Sequence, residues 1–146
     1  MAIEMLATDL FSDRIDIAAR GHRDVLRGST LGHELALEEL GEVWEECRNP
    51  GWDGYDALPV DQDTLRAAYT LIESLPFGFP RPTIGAEPDG QLTLEWRSSS
   101  RRVLSVSVDP DGYLHYAGLF GTDKRYGTLV YFSTAPEKLL QLVRDL

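Results

Sequence analysis

From about Ser29 to Cys47 the apolar positions recur at helical spacing. At 100° per residue, Ala36, Leu37, Leu40, Val43, Trp44 and Cys47 share one arc of about 120°, with His33 on the same side. Glu34, Glu38, Glu39, Glu42, Glu45 and Glu46 occupy the opposite side, and Leu31 and Leu35 stand among them. A purely solvated face does not favour two leucines. Ser29 or Thr30 is expected to cap the start. The stretch "RNPG" stops the helix, because Pro50 disfavours helical backbone at Asn49 and Gly51 suits the exit. A second helix is expected from about Gln62 to Leu75, with Leu65, Ala68, Tyr69, Ile72 and Leu75 as its stripe and Asp61 or Asp63 at its start. Pro76 ends it, and "PFGFPRP" reads as a rigid extended connector.

After Pro82 the period falls from 3.6 to 2. "QLTLEW" sets Leu92, Leu94 and Trp96 on one face, and "VLSVSVD" does the same with Leu104, Val106 and Val108. "YLHYAGLF" and "GTLVYF" are more apolar on both faces, so they are expected to be central or covered. Short connections make these strands an antiparallel meander, since parallel pairs need long crossovers. Two similar turns, "EPDGQLTL" and "DPDGYLHY", lie 22 residues apart; Pro presets a turn φ and Asp-Gly tolerates the positive φ that follows. "TAPEKLLQLVRDL" closes the chain as a helix, with Thr134 and Glu137 spaced as a capping box and Pro136 in the first turn. The expected fold is α+β: N-terminal helices, a four- to five-stranded antiparallel meander and a C-terminal helix, with the helices on one sheet face.

A chain of 146 residues is expected to form a single domain, 1–146. Within it, 1–30 reads as an arm with only the brief alternation of "RIDIAAR", 31–48 as the acidic helix and 51–146 as the α+β core. The net charge of −10 is uneven: residues 1–63 hold 15 acids and 5 bases, whereas residues 64–146 hold nine of each. Such a negative segment repels nucleic acid and attracts basic partners. Cys47 is the lone cysteine, which rules out an internal disulfide and fits a reducing cytoplasm. No apolar run approaches the ~18 residues of a membrane span, and "MAIEMLATDLFSD" lacks the basic and apolar regions of a signal peptide.

Chemistry-bearing motifs are sparse. Phosphate loops, GxSxG and HExxH are absent, and His22, His33 and His115 are scattered. "PDGQLTLEWR" has the outline of a metal-dependent nuclease motif. Its Asp89 and Glu95 would lie roughly 20 Å apart along a strand, too far to share one ion, and Arg97 replaces the usual lysine. Asp53, Asp56, Asp61 and Asp63 have the wrong spacing for a calcium loop. Neither a metal nor a cofactor is expected. The segment "NPGWDGYDALPVDQD" is instead expected to be a joint, with Asp53 and Asp56 in Asx-type turns and Trp52 and Tyr55 plugging the loop against the core.

The pattern "GWDGYDALP", then "LP" within "LIESLPFGFPRP", then "EPDGQLTLEW" resembles a set of short bacterial proteins to which no activity is attached. The resemblance covers residues 51–146. It implies a prokaryotic or phage origin and a shared fold, and no catalytic residue, with the acidic helix as an attachment to that shared core.

The leading expectation is a non-enzymatic acidic protein-binding module, an inhibitor, antitoxin or anti-defence protein. Its partner would present a basic surface, as a nuclease, a toxin or a nucleic-acid-handling complex does, with no direct nucleic-acid or membrane contact. Leu31, Glu34, Leu35, Glu38, Glu42 and Glu45 are the expected contact residues: charge speeds encounter and the leucines supply desolvated contact. The alternative is a small enzyme with a sheet cleft near Trp96, Arg97, His115 and Tyr116.

Overall fold

The computed structural model of the chain describes residues 31–131 and 133–146. The expected arm over residues 1–30, with the Ser29 or Thr30 cap, lies outside the described residues. The elements run α1 (Leu31–Cys47), α2 (Gln62–Ser74), β1 (Thr83–Ala86), β2 (Leu92–Ser99), β3 (Arg102–Val108), β4 (Tyr113–Phe120), β5 (Asp123–Val130) and α3 (Glu137–Arg144). The strands pair antiparallel in sequential order as one five-stranded sheet. The fold is α+β, as the change of period implied.

Register gathers the alternating apolar residues onto one face. Leu92 faces Val108 across β2–β3, Leu94 faces Val106 and Trp96 faces Leu104. On β4, Leu114 and Tyr116 continue the rows begun by Val108 and Val106. Against this face pack the stripes of all three helices: Leu37, Leu40, Trp44 and Cys47 from α1, Leu65, Ala68 and Ile72 from α2, and Leu139, Leu142 and Val143 from α3. A fully buried side chain of this kind stabilises by about 1.5–3 kcal/mol. The inner side of α1 is therefore part of the core and fixes how its outer side is presented. Two glycines serve close approach on the covered face. A Cβ on Gly118 would stand 2.6 Å from the Phe120 ring and 3.2 Å from the Val103 carbonyl, and one on Gly127 would meet the Tyr116 hydroxyl at 2.8 Å.

Several local expectations are corrected. β5 starts at Asp123, four residues before the expected "GTLVYF", and it is an edge strand with Tyr126, Thr128 and Val130 exposed. Its polar opening, Asp123-Lys124-Arg125, suits an edge, where charge discourages pairing with other chains. β4 is central, yet only one of its faces is covered. At α3, Pro136 is the N-cap residue and makes no side-chain cap bond. Glu137 is then the first helical residue, two positions short of the N3 place that a capping box needs, and Thr134 lies two residues before the cap. At α2 the Asp61 carboxylate takes the cap, accepting from the Thr64 N–H at 2.8 Å.

The segment between α1 and α2 is a joint, held largely by backbone bonds. Gly51 N donates to Ala57 O at 2.8 Å and Val60 N to Cys47 O at 3.0 Å. One Asp53 oxygen accepts from the Tyr55 and Ala57 N–H groups, at 2.9 and 3.2 Å. The half-buried Trp52 packs on the core and donates its indole N–H to Leu58 O at 2.9 Å. Leu58 N reaches Pro88 O at 2.8 Å and ties the joint to the β1–β2 turn. Tyr55 does not plug the loop: it is 84% exposed. Asp56 is exposed and makes no Asx bond among the described residues.

Candidate functional site

Helix α1 divides its glutamates by role. Glu39 is structural: its carboxylate accepts from the Ile84 N–H at 3.2 Å and pairs with Arg81 at 3.4 Å, which pins the helix to β1. Glu34 and Leu35 are half-buried, and Leu31 is the first residue of the helix. Glu38, Glu42, Glu45 and Glu46 are exposed. Glu45 has a weak partner in Arg48 at 3.7 Å. Glu38, Glu42 and Glu46 have no ion-pair partner among the described residues. At spacings of four they form one stripe along the helix. Sequence periodicity already placed Glu46 on the polar side; what it did not separate was the structural Glu39 from its exposed neighbours, because the Arg81 partner is 42 residues away.

Of the sheet residues of the alternative reading, Trp96 and Arg97 line one cavity, and His115 and Tyr116 are not part of it. Trp96 and Tyr116 point to the covered face, where Trp96 is buried and donates its indole N–H to Pro80 O at 2.8 Å. Arg97 and His115 point to the open face, on β2 and β4 with β3 between them. Arg97 pairs with its own strand neighbour Glu95 at 3.0 Å.

His115 has a different set of neighbours, which the sequence did not disclose. One ring nitrogen lies 2.9 Å from an Asp109 oxygen and the other 3.0 Å from the Thr128 hydroxyl. The ring also stacks beside Tyr113 at 6.4 Å. Burial works against ionisation of Asp109, but the imidazole and the Tyr113 and Asp111 backbone N–H groups outweigh it and hold the carboxyl below its usual range. Beside this group, one Glu87 oxygen accepts from the hydroxyls of Thr93 at 2.6 Å and Ser107 at 2.8 Å. These contacts close the acids of the two Pro-Asp-Gly turns onto their own sheet.

Cys47 is buried in the core, and burial pushes its thiol up to about 11, which leaves it unsuited to nucleophilic work. Among the described residues there is no cluster of three or more His, Cys, Asp or Glu placed to hold a metal. None of the described helices is long and apolar enough to cross a membrane. No family model, curated protein or solved structure matches this chain.

Proposed function

We propose that the protein is a non-enzymatic binding module that engages a basic protein surface through the outer side of α1, as an inhibitor or antitoxin does. The observation that carries this reading is the stripe of Glu38, Glu42 and Glu46, exposed and without an internal cation among the described residues, on a helix locked into the core by its other side. A preorganised row of like charge speeds encounter with an oppositely charged surface and loses little entropy on binding. Glu45 extends the row sideways, and Leu35 at its N-terminal end supplies apolar contact area. The partner is a basic face of a nuclease, a toxin or a nucleic-acid-handling complex.

The test is affinity capture from an extract of the native host with wild type and with Glu38→Lys/Glu42→Lys/Glu46→Lys side by side. The expected result is a basic protein retained by wild type, released by added salt and absent from the variant, while both proteins melt at similar temperatures. Equal capture by the two would mean that the glutamates are only a solvated surface.

A further inference from the structure

A cavity of about 490 Å³ opens on the side of the molecule where the connector meets β2 and α3. Pro76, Phe77, Gly78 and Phe79 form a tight turn, with Phe79 N donating to Pro76 O at 3.1 Å. Gly78 at its third position has φ +72, the value a turn of this type requires and an L side chain resists. The turn holds Phe77 out, 74% exposed, above the opening. Below it, Phe79 lies edge-on to Trp96 with ring centres 6.5 Å apart. The Trp96 indole is 2% exposed and its N–H is engaged by Pro80 O, so it backs the cavity as a buried apolar wall. β1 begins at Thr83 opposite Glu95, so β2 has no strand neighbour on that side beyond this point, and the cavity occupies the gap.

Arg81, Arg97 and Arg144 also line the cavity. Each has one carboxylate, Glu39 at 3.4 Å, Glu95 at 3.0 Å and Glu137 at 2.9 Å. Each spends only one or two of the five N–H donors of the group on that carboxylate. We propose that this cavity binds a planar aromatic anion: a flat ring seated among Phe77, Phe79 and Trp96, with its phosphate or carboxylate held by the arginines. Guanidinium matches both anions with paired hydrogen bonds and stacks on rings, which a lysine does not do. The volume suits one ligand of small-molecule size, in the usual range of roughly 300–1,000 Å³. The site is independent of the α1 stripe, so either reading stands without the other.

The test is NMR titration of the ¹⁵N-labelled full chain with three probes: 2-naphthyl phosphate, 2-naphthoate and the neutral 2-naphthol. Saturable shifts are expected for the amides of 76–81 and 96–98 and for the Trp96 indole N–H, with at least one anion binding about tenfold or more tighter than the alcohol. Arg97→Gln/Arg144→Gln should weaken that anion by about tenfold, because charge-assisted bonds are lost. Phe77→Ala, at a largely exposed position, should weaken all three probes, and Arg66→Gln, beside Pro110 and Gly112 and outside the cavity, should weaken none. The proposal is overturned if the shifts do not saturate, if the alcohol binds as well as both anions, or if the double variant binds the anion like wild type with an unchanged melting temperature.

Discussion

The carboxylates of the sheet half and those of α1 are treated differently by the fold. In the sheet half, Glu95 meets Arg97, Asp109 meets His115, and Glu137 meets Arg144. Arg125 serves both Asp123 and Asp145, at 3.0 and 2.9 Å, and also lies over the Phe120 ring at 4.2 Å. On α1 Glu39 is used internally in this way and Glu45 pairs weakly with Arg48 at 3.7 Å, while Glu38, Glu42 and Glu46 face solvent unpaired among the described residues. Like charges at i, i+4 cost a helix a few tenths of a kcal/mol per pair. A stripe that adds this cost, and no internal contact that offsets it, is what an outward-facing binding surface looks like. These sheet-half carboxylates are closed onto neighbouring cations; the α1 stripe is not.

The contrast is sharpest across α1 itself. Trp44→Ala on the inner side should cost about 3–5 kcal/mol in urea unfolding. Trp44→Phe should cost much less, because the buried indole N–H has no hydrogen-bond partner to lose. If both cost the same, the ring's contribution is not packing. Gly118→Ala, under the Phe120 ring and beside the Val103 carbonyl, should cost about 1–3 kcal/mol through overpacking.

Next in size are the acids with internal roles. Glu39→Gln removes the charge that accepts from Ile84 N and should cost about 1 kcal/mol, whereas Glu38→Gln and Glu42→Gln should fall within about 0.5 kcal/mol of wild type or stabilise slightly. Asp109 has a depressed folded pKa, so its contribution is present above the ordinary carboxylate range and is lost as pH falls through the lower folded value. Asp109→Asn should therefore flatten the stability curve below about pH 4. At the other end of the scale, the Cys47 thiol titrates near 9.0 when unfolded and about 11 when folded. The unfolded state loses its proton first, so stability should decline as pH rises between those values, and Cys47→Ala should make that decline shallower, the buried Tyr131 hydroxyl, pushed up to about 12, supplying the rest.

The elements with clean periodicity were legible in the sequence. The α1 arc predicted its buried residues Ala36, Leu37, Leu40, Trp44 and Cys47, and the Leu92 and Leu104 alternations predicted the covered sheet face. What escaped was non-local. β5 opens with polar residues because it is an edge, and hydropathy alone placed its start four residues late. Pro136, in extended backbone, holds the N-cap position of α3 and leaves Glu137 first in the helix, which spacing alone did not register. The candidate stripe was visible as a polar arc, but the exclusion of Glu39 from it depends on Arg81 and Ile84, which only folding brings near. The aromatic and arginine cavity joins residues from 76 to 146; of these the sequence pointed only to Trp96 and Arg97, because folding alone brings the connector and α3 beside them.

The central claim is that the charge of α1 is there for a partner. Its most direct test is the association rate of the captured basic protein with wild type and with Glu38→Lys/Glu42→Lys/Glu46→Lys, measured by biolayer interferometry across a series of salt concentrations. Electrostatic steering changes on-rates by an order of magnitude or more and fades as salt screens the field. The account requires a wild-type on-rate that falls steeply with salt and a variant on-rate at least about tenfold slower at low salt, with the two converging at high salt. Equal on-rates with no salt dependence would contradict it.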